Sequence, residues 1–131
     1  MTFELFLKIL PLWFEAFAFT LVVEVPLFVA VARLPVGPPR KTRAPLWRLA
    51  IAGAAGTCVT HPLLWFAWPL AVRDYTTYIW SGELLVAAIE SATFFALARP
   101  ITWHRAVAAS LTANAASFGL GLLLRAAGLL G

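Results

Sequence analysis

Apolar residues run along this chain in four long blocks, separated by short clusters of charge, proline and glycine. The blocks cover about 12–32, 49–72, 78–98 and 106–124. Each is close to the roughly 20 residues that a helix needs to cross a hydrocarbon layer. The longest connection, RLPVGPPRKTRAPLWR, is rich in proline and arginine, while RDYTTY and RPITWHR are short. Short connections make successive helices run in opposite directions. The pattern predicts an all-α integral membrane protein, an antiparallel up-down bundle of four transmembrane helices, with residues 1–131 as a single domain.

Composition points the same way. Of 131 residues, 62% are hydrophobic and 12% charged, against roughly 45–50% and about 25% in soluble domains. A chain this short buries only around two-thirds of its unfolded surface, so the excess is expected to face lipid. No stretch is left over for a soluble catalytic domain. Cys58 is the single cysteine, which excludes a disulfide framework or a Cys-rich metal site. Glu4 and Lys8 precede the first block, and no small-residue cleavage site follows a short apolar core. The first block is therefore expected to remain as an anchor.

The formal net charge is +4, and the order of the charges gives it meaning. Arg33, Arg40, Lys41, Arg43, Arg48, Arg99 and Arg105 flank the first and third connections, against Lys8, Arg73 and Arg125 at the other ends of the blocks. Lys and Arg are retained on the cytoplasmic side. Both termini are thus expected outside the cytoplasm of a bacterial inner (plasma) membrane. Trp47 and Trp103 would mark the inner interface, and Trp13, Trp65, Trp68 and Trp80 the outer one, as aromatic belts do. Arg40, Lys41, Arg43 and Arg48 are expected to attract anionic lipid headgroups, at about 1 kcal/mol each. Nucleic acid is not an expected partner.

Polar residues inside the blocks carry the candidate chemistry. Counting about 1.5 Å per residue from the inner ends puts Glu24, Glu90 and Asn114 at one depth, and His61 with Glu83 at a second level further out. Glu83 and Glu90 are two turns apart on one helix face, whereas Glu15 is expected to face away and lie at the interface. Ser110, Asn114, Ser117 and Gly121 form a small and polar stripe of the kind that lets membrane helices approach closely. Gly53, Thr57, Thr60 and His61 form another, and Trp13, Phe17, Thr20 and Glu24 a third.

No Lys or Arg lies inside any block, and an acidic residue near the bilayer centre costs roughly 2.5–3.5 kcal/mol when charged. Glu24 and Glu90 must then be protonated, hold a cation, hydrogen-bond as a carboxyl pair, or meet a basic residue of another subunit. For Glu83 the one partner within reach is His61. Pro26 and Pro62 remove amides that would bond the carbonyls of Val22 and Cys58, close to Glu24 and His61. Pro11 lies near the interface.

Recognisable enzyme signatures are missing: there is no Gly-rich phosphate loop, HExxH, GxSxG or CxxC. A zinc site from His61, Glu83 and a second Glu fits no known spacing, so neither a metal nor a cofactor is expected, and no catalytic residue is assigned. EVP in the first block, THP in the second, GELLVAAIE in the third and SLTANAASFGLG in the fourth resemble a group of small bacterial four-helix membrane proteins of unassigned role. The resemblance spans nearly the whole chain and implies the four-helix fold, with no activity attached.

The ligand- or ion-binding candidates are accordingly Glu24, Glu90, Asn114, His61, Glu83 and Thr57. They predict an ion- or proton-handling, transport-like site, or the docking surface of a subunit in a larger membrane complex. The alternative is an intramembrane enzyme with Glu or His as general base. Four helices are too few to enclose a wide pore, so a homo-oligomer or larger assembly is expected.

Overall fold

The computed structural model describes residues 3–35 and 43–129. It is all-helical, with four helices: α1 Phe3–Arg33, α2 Leu46–Ala71, α3 Tyr75–Leu97 and α4 Trp103–Ala126. All four are long and apolar enough to cross a membrane by length and composition. Contacts run in a ring from α1 to α2, α3, α4 and back to α1.

Local chemistry sets the helix ends. Leu34 and Arg99 each precede a proline, and the proline ring disfavours helical backbone at the residue before it, so α1 and α3 stop there. The Asp74 carboxylate caps α3 by accepting from the Thr77 amide at 2.8 Å. α1 begins at Phe3, nine residues before the apolar block starts, and runs through both Pro11 and Pro26. The change of pitch in α2 also falls elsewhere than Pro62. Its backbone widens at Leu63–Ala67, where the Trp68 amide reaches back five residues to the Leu63 carbonyl. Pro69 follows directly and has no amide to offer the Trp65 carbonyl, which relieves the need for regular α pitch there. The wide turn is braced by α3: the Tyr78 hydroxyl donates to the Leu64 carbonyl at 2.9 Å, and Trp68 Nε1 to Ser81 Oγ at 3.3 Å.

Along its length the bundle has three storeys. At the end nearest the basic connection is an apolar plug: Phe28 and Phe94, with ring centroids 4.9 Å apart, among Leu49, Ala52, Ala98, Ala106, Ala109 and Ala113. The alanines let the helices come close. Next comes a polar layer, and beyond it a cavity. The outside reverses this distribution, since Val22, Leu84 and Leu123 are 73%, 71% and 68% exposed while Glu24 and Glu90 are 1% exposed. Buried acids beneath an apolar exterior are the inverse of the usual soluble arrangement.

Arginines at the plug end serve the backbone. Arg105 donates to the Ala32 and Leu34 carbonyls at 3.1 and 2.6 Å, and Arg33 to that of Ala44 at 2.7 Å. Arg48 reaches the Arg99 carbonyl at 3.4 Å. Of the expected headgroup residues, Arg43 and Arg48 are exposed, while Arg40 and Lys41 lie outside the described residues.

Candidate functional site

Two diagonal helices supply the acids of the polar layer, and the other two supply the donors. Glu24 of α1 receives the Thr57 hydroxyl of α2 on Oε2 at 2.9 Å and the Ser117 hydroxyl of α4 on Oε1 at 2.6 Å. Glu90 of α3 receives the Thr60 hydroxyl of α2 on Oε1 at 2.8 Å. Its Oε2 takes the Asn114 amide and, at 3.4 Å, the Ser110 hydroxyl, both from α4. The spacing of Thr57 and Thr60, three residues apart on one face, thus serves two acids from opposite corners of the bundle.

The two carboxyls are joined through α4 and make no direct hydrogen bond with each other among the described residues. Asn114 bonds Glu90 through its side chain, and its backbone carbonyl accepts the Ser117 hydroxyl at 3.1 Å. Room for Glu90 comes from Gly56, where an added Cβ would lie 3.2 Å from Glu90 Cγ. Gly53 does the same for the plug: a Cβ there would meet Phe28 Cδ2 at 3.0 Å.

Beyond this layer opens a cavity of about 430 Å³, whose lining runs from Glu24, Glu90 and Asn114 out to Glu15 and Arg125. Every exposed residue in its lining belongs to α1 or α4: Leu12, Glu15, Phe118, Leu122 and Arg125. The exposed rim of the cavity is therefore built by those two helices, toward their ends far from the plug. At the other end the Phe28–Phe94 plug closes the bundle.

His61 and Glu83 both border the cavity, yet among the described residues no hydrogen bond joins them. His61 is instead packed in aromatic rings, with Phe17, Trp65 and Trp13 centroids 5.3, 5.9 and 6.1 Å away. Its Nδ1 is buried without a hydrogen-bond partner. Trp13 thus shares the inward side of α1 with Phe17, as its stripe predicts, and Trp65 also turns onto the imidazole; of the four tryptophans expected at the outer interface, Trp80, 68% exposed, is the one that faces fully out.

Glu15 corrects an expectation. It does not face away from the interior but borders the cavity mouth, because two adjacent four-residue rows of α1 line the cavity, Leu12, Ala16, Thr20 and Glu24 in one and Glu15 with Phe19 in the other. Gly121 corrects another. It does not seal a close helix approach, for a Cβ there would meet only Phe19 Cε1, at 3.8 Å.

Of the candidates named from sequence, Glu24, Glu90, Asn114 and Thr57 meet in one hydrogen-bonded layer, and His61 and Glu83 share the cavity above it. Thr60, Ser110 and Ser117 complete the layer and were read only as packing stripes. Their signal was present in the three- and four-residue spacing of hydroxyls opposite each acid. Among the described residues no group of three or more His, Cys, Asp or Glu side chains converges to hold a metal. Compared with known proteins, the chain matches no family model, and neither a curated relative nor a similar solved structure was found.

Proposed function

We propose that this chain is an integral membrane protein whose polar layer loads and releases protons as part of a transport-type function. One observation carries this reading: each hydroxyl that touches an acid has a second acceptor on the backbone. Thr57 has Gly53 at 3.4 Å, Thr60 has Gly56 at 3.1 Å, Ser110 has Ala87 at 3.1 Å and Ser117 has Asn114 at 3.1 Å. A hydroxyl owns one hydrogen and can accept through its lone pairs. When the acid is ionised the hydrogen points at the carboxylate; when the acid is protonated it turns to the backbone carbonyl, and the hydroxyl accepts from the acid. Both states are satisfied by rotation of hydroxyls alone, with no heavy atom moved. Three of these second acceptors are the helix's own carbonyls three or four residues back, the ordinary partner of a helical Ser or Thr and the one Ser91 also uses; what the layer adds is an acid facing each hydroxyl, so the turn between the two acceptors follows the acid's proton.

The excess of basic residues at the plug end supports an orientation with that end in the cytoplasm, anionic lipid beside it and the cavity facing the opposite leaflet. Since the plug closes one chain, the path across the membrane is completed in assembly with a second copy or a larger membrane complex. The test is infrared titration of the purified protein in detergent. The expected result is a carboxyl C=O band that appears and disappears reversibly with pH, and that Glu24→Gln and Glu90→Gln each diminish without loss of fold. A carboxyl spectrum unchanged across the titration, or changes untouched by both substitutions, would remove the proton-handling role.

A further inference from the structure

The cavity is far larger than a proton or a bare ion requires. At about 430 Å³ it lies within the roughly 300–1,000 Å³ range of small-molecule sites, against about 30 Å³ for one water molecule. Its polar groups select a cation: α1 contributes Glu15 and Glu24, α3 contributes Glu83 and Glu90, α2 contributes the imidazole of His61, and the one basic residue of the lining, Arg125 of α4, sits exposed at the mouth. Two of these groups have capacity to spare. Glu83 makes no hydrogen bond or ion pair with a described residue, and His61, 8% exposed, holds its buried Nδ1 unpaired.

The remaining lining selects for an apolar body. Phe19, Trp65 and Phe118 offer aromatic surface, and the exposed rim carried by α1 and α4 includes the apolar Leu12, Phe118 and Leu122. A bare metal ion would want several oxygen ligands around it, whereas the deep carboxylate oxygens here already hold hydroxyl and amide hydrogens. Aromatic faces attract ammonium groups.

Resting on the proton-handling reading, we propose that this cavity binds a lipophilic organic amine in its ammonium form, entering over the exposed rim of α1 and α4. The ammonium sits between Glu83 and His61 above the polar layer, and the apolar body lies against Phe19, Trp65 and Phe118. Binding of the cation ionises one carboxyl and releases its proton, so charge in the cavity is conserved.

The test uses the full chain in detergent with 2-phenylethylamine and its neutral isostere 2-phenylethanol, measuring binding by calorimetry and proton release in weak buffer. The amine is expected to bind at least tenfold more tightly than the alcohol, the equivalent of about 1.4 kcal/mol, and to release a proton. Glu83→Gln should weaken the amine about tenfold, as loss of a charged hydrogen-bond partner does. Gly121→Leu, which narrows the gap opposite Phe19, should weaken amine and alcohol together while leaving the pH-dependent carboxyl band in place. Equal affinity for amine and alcohol overturns the proposal, as does displacement of the proton by sodium ions but not by the amine. Should Glu83→Gln fail to fold, the comparison of the two ligands on the native chain still decides. If the amine fails while the carboxyl band still titrates, the ligand is wrong and the proton-handling role stands; a band that does not titrate removes that role itself.

Discussion

Three glycines offer a controlled perturbation of the helix packing, because replacing each by alanine gives the same helix-propensity gain of about 1 kcal/mol. Differences among the three variants therefore measure space. At Gly119 an added Cβ meets nothing within 4 Å, and the full gain should appear as stabilisation. At Gly56 it lies 3.2 Å from Glu90 Cγ and 3.5 Å from Glu90 Cα, so the acid must shift by a few tenths of an ångström. At Gly53 it meets Phe28 at 3.0, 3.2 and 3.2 Å. Phe28 is 0% exposed and packed against Phe94 in a tilted ring pair, which leaves it nowhere to go. Overpacking a tight core costs about 1–3 kcal/mol, so Gly53→Ala should fall below Gly119→Ala by about that amount.

Thermal unfolding in one detergent reads this as an order of stability: Gly119→Ala highest, Gly56→Ala intermediate, Gly53→Ala lowest, with a spread on the order of 5–10 °C. The infrared carboxyl band adds an independent reading. It should change in Gly56→Ala, whose Cβ presses on Glu90, and stay as in the native chain for the other two. Equal melting of Gly53→Ala and Gly119→Ala would refute the packing of α1 on α2 at Phe28. An unchanged carboxyl band in Gly56→Ala would refute the placement of Glu90 against α2.

Asn114→Leu removes the amide that bonds Glu90, and since hydrogen bonds between membrane helices average about 0.6 kcal/mol, the thermal midpoint should fall only slightly while the carboxyl titration changes; a normal titration would show that Asn114 is packing alone. Asp74 predicts an acid-sensitive helix start: the hydrogen bond from the Thr77 amide holds its carboxyl below the ordinary aspartate range, so the cap contributes fully above about pH 4 and is lost as pH falls through the lower, folded-state value. Asp74→Asn keeps a capping oxygen, and should shrink the difference in thermal midpoint between pH 7 and pH 3 relative to the native chain.

The four helices were legible because length and apolarity are properties of single segments. α2 and α3 differ from their apolar blocks by only a few residues at either end, since proline and charge act locally on the backbone. α1 is the exception, starting at Phe3 ahead of a stretch that carries Lys8 and Pro11. Nothing local forbids helix there, as proline is tolerated where its neighbours satisfy the freed carbonyl. The wide turn at Leu63–Ala67 was not legible: Pro62 beside His61 points to the Cys58 carbonyl, while the proline that leaves the Trp65 carbonyl without its amide is Pro69, roughly two turns beyond Pro62.

Depth was legible and orientation only partly so. Counting residues from a helix end places Glu24, Glu90 and Asn114 at one level, because the rise per residue is fixed. Which way a side chain turns within that level depends on how a slanted row of one helix meets its neighbour, and that is a property of pairs. Glu15 shows the consequence: a strict angular count from Glu24 sends Glu15 outward, yet the neighbouring row of Glu15 and Phe19 also borders the cavity. The same limit explains why Ser117 and Thr60 looked like packing positions. A hydroxyl on a small-residue stripe closes a helix gap when a backbone faces it and hydrogen-bonds a carboxyl when an acid faces it. Here the identity of the facing residue, Glu24 or Glu90, is what turns two packing seams into the floor of a cavity.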